Sequence, residues 1–292
     1  MSVHVNKRLE RTFGVFHPSD FSPASEVAFA HALKIALESK ADLDLMHVGA
    51  TADLREADWS GFPGLRATLA RWGVLPEGIE AEAVDDALGL SVRKIIKAGR
   101  DPVDVMLEHV RTFAPDLIVL STHQRDGIDR WLHRSVAEPL ARRSGAMTLF
   151  VPQGGHGFVS PEDGRVTLRR VLIPVDHAPG ADTAIDRAWG LVRGLGCTAS
   201  EARLIHVGDP GRAPTPGGRP ADAGWSPEMV VRQGDVVRCV LGEAEQWGAD
   251  LLVLATQGHQ GFLDALRGST TERVVRGARC PVLAVPEPHE HV

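Results

Sequence analysis

The sequence has few cysteines and no long apolar run. Its three cysteines, Cys197, Cys239 and Cys280, lie far apart and form no CxxC pair. This spacing argues against a disulfide scaffold or a zinc site and indicates small hydrophobic residues in a reducing compartment. No apolar run approaches the ~20 residues of a membrane-spanning helix, and the first residues lack the apolar core of a signal peptide. We therefore expect a cytoplasmic protein that does not enter a membrane.

The chain also lacks a strong charge and the common catalytic motifs. A formal net charge of -6 and a pI near 6.1 argue against nucleic acid or an anionic membrane as the main partner. The sequence contains no GxGxxG after a strand, no GxxxxGK[ST] and no GxSxG. No nucleophile has an evident general base beside it, so hydrolytic catalysis has little support. No histidine spacing predicts a metal site.

What the chain does contain is a long internal repeat. Residues Asp250 to Pro286 align with Asp116 to Pro152 at a constant offset of 134, and 13 of the 37 pairs are identical. Each copy has the pattern strand, small and polar loop, serine, helix, strand. A repeat of this length predicts two copies of one domain, and 292 residues are enough for both. We predict a first domain at 1–152, a Gly-, Pro- and Ser-rich linker at 153–166, and a second domain at 167–292.

Within each copy, short apolar strands alternate with helices. Runs such as LIVL and LLVL are apolar throughout, as is typical of strands buried on both faces. The first helix is expected to begin with Ser22 as its N-cap and Pro23 at its first position. In the second copy, helices are expected near 179–194, 235–247 and 269–277. The alternation predicts an α/β fold with a parallel sheet covered on both faces.

Polar and small residues cluster where the strands of the second copy end. In doubly wound sheets these carboxyl ends form the ligand site. Asp176 follows the first strand and is placed to accept from an adenine amino group or a ribose hydroxyl, or to hold a metal. Gly258 and Gly268 allow close approach of an anion, and Ser269 begins a helix whose free N–H groups favour phosphate. Alternatively, Gly258 ends a strand, and Asp176 and Ser269 only cap helices.

Several segments resemble the universal stress protein family in its tandem, two-domain form. The resemblance rests on VFHPSDFSPAS and VLIPVDHAPGA at the two starts, on LMHV and LIHV at the ends of the second strands, and on the repeat. It covers the whole chain. It implies two doubly wound five-stranded parallel sheets of order 3-2-1-4-5, a Rossmann- or flavodoxin-like α/β fold. It also implies a pseudo-two-fold pair in which 147–151 and 282–285 meet edge to edge, and it is consistent with a homodimer.

The nucleotide site that the resemblance implies lies in the second copy. ATP-binding members of the family carry G-x2-G-x9-G-[ST], and here only the first glycine is replaced, by Ala255. The implied ligand is ATP, or ADP or AMP, with Mg²⁺ bound through the phosphates as an optional companion. The implied nucleotide-binding residues are Asp176, Val207, Leu254, Ala255, Gly258, Gly268, Ser269 and Thr270.

The matching positions of the first copy form a degenerate site. All three glycines of the motif are replaced, and Gln124 and Arg134 place large side chains where phosphates would lie. We predict that this copy has lost the nucleotide site. An anion held by the Arg134 guanidinium is the alternative. The degenerate positions are Asp20, Val48, Ser121, Gln124, Arg134 and Ser135.

These features predict a stress-response protein that binds an adenine nucleotide in its second domain. It is expected to act as a regulatory or signalling module on an unknown protein partner. It is not expected to be an enzyme, with slow ATP hydrolysis as the upper limit. The alternative is a nucleotide-independent, stress-induced interaction protein, which the Ala255 replacement and the degenerate first copy favour.

Overall fold

A computed structural model of the chain describes residues 13–49, 64–75, 88–122, 131–215, 217, 225, 227–256 and 270–287. Strands and helices alternate along these residues as the sequence predicts. In the described residues the strands are β1 Gly14–Pro18, β2 Asp42–Gly49, β3 Ser91–Ala98, β4 Leu117–Thr122, β5 Met147–Pro152, β6 Arg170–Pro174, β7 Glu201–Val207, β8 Glu228–Arg232, β9 Leu251–Thr256 and β10 Val282–Pro286. The α-helices there are α1 Pro23–Ser39, α2 Leu65–Arg71, α3 Pro102–Phe113, α4 Trp131–Ser144, α5 Asp182–Gly194, α6 Val236–Trp247 and α7 Thr270–Gly277.

The strands form one continuous sheet in the order β3-β2-β1-β4-β5-β10-β9-β6-β7-β8. Within each half, neighbouring strands run parallel, which confirms the predicted order 3-2-1-4-5. β5 and β10 pair antiparallel, with Leu149 opposite Leu283. These two leucines occupy equivalent positions of the repeat, so they mark the pseudo-two-fold axis. The pairing of the last strands is thus confirmed, and it covers two edges that would otherwise be exposed.

Helices cover both faces of the sheet because strand side chains alternate between them. In β4, Leu117 and Val119 face the core under α1 and α5, whereas Ile118 and Leu120 face the core under α3, α4, α6 and α7. None of the helices in the described part of the chain combines the length and apolar character needed to cross a bilayer.

Most helix starts follow the local signals in the sequence. Ser22 caps α1 as predicted, because its Oγ accepts from the backbone N–H of Ser25 at 3.2 Å. The predicted start of α5 near 179 is wrong. Asp176 and Gly180 form an isolated bridge, so the chain is still turning there, and α5 begins at Asp182.

The segment between the halves packs closely on both of them. Phe158 and Val159 are buried, and Val159 forms an antiparallel bridge with Val166. Gly157 lies against the ring of His31, where an added Cβ would come within 2.5 Å of Cε1. The glycine there permits close packing rather than free motion. The domain boundaries at 152 and 167 stay a prediction.

Candidate functional site

The reversal of strand order in the second half lies between β6 and β9. The chain leaves β6 for β7 on one side and later returns to β9 on the other. In doubly wound sheets this switch point opens a crevice at the carboxyl ends of the strands. Asp176 lies two residues beyond β6, Val207 is the last residue of β7, and Leu254 and Ala255 lie near the end of β9. The structure therefore brings these four predicted residues to one edge of the sheet.

Asp176 is exposed at this edge, and the loop after β7 is tied to its neighbour. The Oδ1 of Asp176 accepts a 2.8 Å hydrogen bond from the backbone N–H of His177. The Nε2 of His177 lies 2.9 Å from the carbonyl oxygen of Arg212 and therefore donates to it. The carboxylate of Asp176 faces solvent, in a position to accept from a ligand.

One histidine in each half holds the loop that carries this aspartate. The Nδ1 of His206 lies 3.2 Å from the carbonyl oxygen of Val175, the residue just before Asp176. In the first half, the Nδ1 of His47 lies 2.8 Å from the carbonyl oxygen of Ser19. Both histidines therefore position the loop after the first strand. The repeated His-Val pair at the strand ends was the sequence signal for this role.

Thr256 is a residue of the candidate site to which the sequence analysis assigned no role. It ends β9, immediately before residues 257–269, and only 4% of it is exposed. Its side chain shares a face of the sheet with Leu254, because residues two apart in a strand point the same way. Its Oγ1 is buried without a hydrogen-bond partner among the described residues. A buried hydroxyl in this condition costs about 1–3 kcal/mol, so it is a natural contact for a ligand.

Glu287 is the second residue that the sequence reasoning missed. Its backbone N–H donates to the carbonyl oxygen of Thr256 at 2.9 Å. Its carboxylate reaches past the end of β9 and accepts from the backbone N–H of Gly180 at 2.8 Å. A negative charge therefore lies on the α5 side of the crevice.

The structure describes only some of the residues predicted to hold the phosphates. Gly258, Gly268 and Ser269 lie outside the described residues. Thr270, the first described residue after Thr256, is exposed and lies in α7. The helix start predicted at Ser269 stays a prediction. Among the described residues, no three His, Cys, Asp or Glu side chains come together as metal ligands would.

In the first half, the corresponding edge is built differently. Asp20 is exposed, and its Oδ1 accepts from the backbone N–H of Ser22 at 3.0 Å, which ties it to the start of α1. Val48 and Ser121 are half-buried at the ends of β2 and β4. Gln124 lies outside the described residues.

The helix after β4 also starts earlier than the sequence predicts. We expected a loop that continues to Ser135, but α4 begins at Trp131 and contains both Arg134 and Ser135. Residues with large side chains replace the motif glycines here, and they favour helix where glycine does not. Ser135 therefore does not stand at a helix start in the first half.

Known proteins are similar to this chain in sequence and in fold. The universal stress protein family matches residues 15–152 and 218–286. A universal stress protein of Methanocaldococcus jannaschii is 28% identical over 153 residues, which cover 43% of this chain and 86% of that protein. The crystal structure of a universal stress protein from Archaeoglobus fulgidus superposes with a TM-score of 0.61 at 20% identity, over 95% of this chain and 98% of that one.

A putative universal stress protein from Pseudomonas aeruginosa has a similar relationship. Its crystal structure superposes with a TM-score of 0.57 at 15% identity, over 94% of this chain and 92% of that one. At such identities the superpositions show the fold, whereas the family match extends over both halves of the sequence. The chain therefore belongs to the universal stress protein family.

Proposed function

We propose that this stress protein binds ATP or a related adenine nucleotide in the crevice between β6 and β9. Binding would act as a regulatory signal to a protein partner, with hydrolysis slow at most. Asp176 would accept from the base or the ribose, beside the apolar side chains of Val207 and Leu254. Mg²⁺, where present, would arrive with the phosphates, near the loop 257–269.

The observation that carries this proposal is the hydroxyl of Thr256, which has no hydrogen-bond partner within the part of the chain that the structure describes. It is buried at the end of β9, next to Ala255 and directly before residues 257–269, which carry the glycine motif. Folded proteins pair nearly all buried polar groups, so an exception calls for an explanation, and a bound group is one. A ribose or phosphate oxygen at the switch point would supply the missing partner.

Glu287 supports the alternative, a protein that works without nucleotide. Its carboxylate already accepts from the backbone N–H of Gly180, a donor at the edge of the crevice. Asp176 adds a second exposed carboxylate nearby in the fold. Two negative charges weaken the attraction for phosphate unless a cation accompanies it. The two readings predict different results in a binding experiment.

The deciding experiment is a calorimetric titration of nucleotide-stripped protein with ATP and Mg²⁺. We expect one nucleotide per chain. Two per chain would contradict the loss of the first site, and no binding would establish the nucleotide-independent alternative. Turnover of labelled ATP well above background, abolished by the variants below, would show an enzyme instead.

Two pairs of matched variants locate the site. Gly258→Asp is expected to abolish binding without unfolding the protein, because it places a negative charge where the phosphates would lie. The matched change in the first half, Gln124→Asp, should leave binding unchanged.

Thr256→Val is expected to weaken nucleotide binding about fivefold, whereas the matched change Thr122→Val should have no effect. Without nucleotide, Thr256→Val should stabilise the fold by about 1 kcal/mol, since it removes a buried unpaired hydroxyl. A loss of stability in that variant would show that the hydroxyl is already paired.

A further inference from the structure

A separate cavity lies in the first half, between α1 and α2. Its volume is about 270 Å³, comparable to roughly nine water molecules at ~30 Å³ each. Its described walls share none of the positions of the nucleotide site or of the degenerate site. They include Ser19, Phe21, Ser25, Phe29, Thr68 and Arg71.

A buried histidine sets the direction of the hydrogen bonds behind this cavity. The Nδ1 of His17 lies 2.9 Å from the carbonyl oxygen of Val119, which only accepts, so Nδ1 carries the proton. Burial lowers the pKa of His17 from 6.5 to about 4, so the ring is neutral near pH 7. Its Nε2 is therefore an acceptor, and the hydroxyl of Ser25, 3.4 Å away, donates to it.

The same chain of hydrogen bonds sets the donor and acceptor roles of the two serines at the cavity wall. The proton of Ser25 is directed to His17, so in the 2.8 Å contact between the two hydroxyls Ser19 donates to Ser25. The oxygen of Ser19 also accepts from the backbone N–H of Phe21 at 3.2 Å. The hydroxyl protons of Ser19 and Ser25 are thus both used in hydrogen bonds within the protein. Each of the two oxygens keeps one lone pair that can accept a further hydrogen bond. These two hydroxyls therefore offer hydrogen-bond acceptors to the cavity.

The remaining walls favour a flat apolar body without negative charge. Half-buried Phe21 contributes aromatic surface, and the almost fully buried ring of Phe29 lies behind the wall. Arg71, the cation on the described wall, donates to the carbonyl oxygen of Pro161 at 2.9 Å and lies 3.9 Å from the carboxylate of Glu26. Glu26 also lies on the described wall, so the two formal charges sum to zero and leave little net attraction for an anion.

We propose that this cavity binds a small, planar aromatic molecule that carries an N–H or O–H donor and no negative charge. The donor would point to the oxygens of Ser19 and Ser25, and the ring would lie against Phe21. The site is independent of nucleotide binding in the second half.

Indole and benzothiophene test this selectivity, because they have nearly the same shape and only indole has a donor. The affinity of the full-length protein for each would be measured by titration followed by NMR of the ¹⁵N-labelled protein. We expect indole to bind about fivefold more tightly than benzothiophene, with benzoate weaker than both. Equal affinities, tighter binding of benzoate, or no saturable binding of indole would overturn the proposal.

Variants on α2 and α1 place the binding in this cavity. Ala67→Phe fills the cavity from an exposed position of its wall and is expected to abolish binding of both probes. Ala70→Phe is the matched control, since it lies on the same helix away from the described walls and should bind indole as the parent does. Ser25→Ala removes one acceptor and should reduce the preference for indole to about twofold or less. Unchanged indole binding by Ala67→Phe would refute the assignment.

Discussion

Replacing His31 with alanine is expected to lower the free energy of unfolding by about 4 kcal/mol. The ring is fully buried and joins α1 to the segment between the halves. Its Nδ1 donates to the carbonyl oxygen of Val27 at 2.8 Å, and its Nε2 accepts from the backbone N–H groups of Phe158 and Val159 at 3.0 and 3.2 Å. The change leaves both N–H groups buried without an acceptor and opens a cavity beside Phe158.

Denaturant unfolding at pH 7 measures this effect. The matched control is His156→Ala, because His156 lies in the same segment with an exposed side chain and should change stability by less than about 0.5 kcal/mol. A similarly small loss for His31→Ala would mean that the segment is a loose linker. Gly157→Ala provides a second test, since the added methyl would collide with the His31 ring.

The same histidine predicts a dependence of stability on pH. Burial lowers the pKa of both His31 and His17 from 6.5 to about 4. The unfolded chain therefore binds more protons than the folded chain between these values, and stability falls as the pH is lowered through this window. The contribution of the neutral rings is complete above pH 6.5, and about 3 kcal/mol per histidine is lost by pH 4.

We would measure the free energy of unfolding from pH 7 to pH 4 for the parent and for His31→Ala. The difference between the two curves gives the contribution of His31 apart from that of His17. Carboxylates also titrate near the lower end of this range, so the difference between variants is more informative than either curve. The loss in His31→Ala is expected to be about 3 kcal/mol smaller than in the parent. Parallel curves would show that His31 is already solvated in the folded protein.

Asp44→Ala is the second change with a large expected effect, a loss of about 3 kcal/mol. The carboxylate of Asp44 is fully buried and accepts from the Nε and Nη2 of Arg93 at 2.7 and 3.0 Å. It also lies 2.7 Å from the Nε2 of His109. Removing the Asp44 carboxylate leaves the mostly buried His109 without its partner, whereas the half-exposed Arg93 returns partly to water.

The control is Arg143→Ala, which removes an exposed ion pair with Asp104 and should lower the free energy of unfolding by less than about 1 kcal/mol.

The second half contains the same cluster with its charges reversed. Arg203 stands opposite Glu228, as Asp44 stands opposite Arg93. Glu243, 134 positions after His109, pairs with Arg203 at 2.8 Å. Each half therefore places a charged side chain at this point of its second strand and surrounds it with the opposite charge or a histidine.

This reversal allows a sharper test of the cluster. Asp44→Arg alone is expected to be at least as destabilising as Asp44→Ala, because it places the new charge beside Arg93. Adding Arg93→Glu and His109→Glu recreates the arrangement of the second half and is expected to recover more than half of the loss. Unfolding measurements on the single and triple variants provide the answer. A triple variant no more stable than Asp44→Arg would show that packing, rather than charge pairing, governs this position.

Local patterns explain the features that the sequence predicted correctly. The apolar runs of β4 and β9 are buried on both faces, and Ser22 caps α1 through a contact three residues away. The repeat and the family resemblance together predicted the strand order and the pairing of β5 with β10. The predicted positions Asp176, Val207, Leu254 and Ala255 do lie at one edge, because parallel strands end on the same side of the sheet.

The errors and omissions arise where distant residues meet. Thr256 and Glu287 come together at the candidate site because β10, β9 and the loop at Gly180 lie side by side. The Gly-rich composition of 153–166 suggests a linker, yet His31, 127 positions before Phe158, makes it part of the packed structure. In the first half, the early start of α4 separates Ser135 from the helix start that the repeat implied.

Sequence patterns alone identified the two halves, their family and the edge of the sheet that carries the candidate site. Periodicity, capping and repetition are local or self-similar signals, and neighbouring residues express them regardless of the rest of the fold. Only the packed fold shows which buried polar groups lack a partner among the described residues, which carboxylates lie at the crevice and where the cavity between α1 and α2 opens. Hydrogen-bond satisfaction and packing depend on atoms brought together from far apart in the chain, and no local pattern encodes those distances.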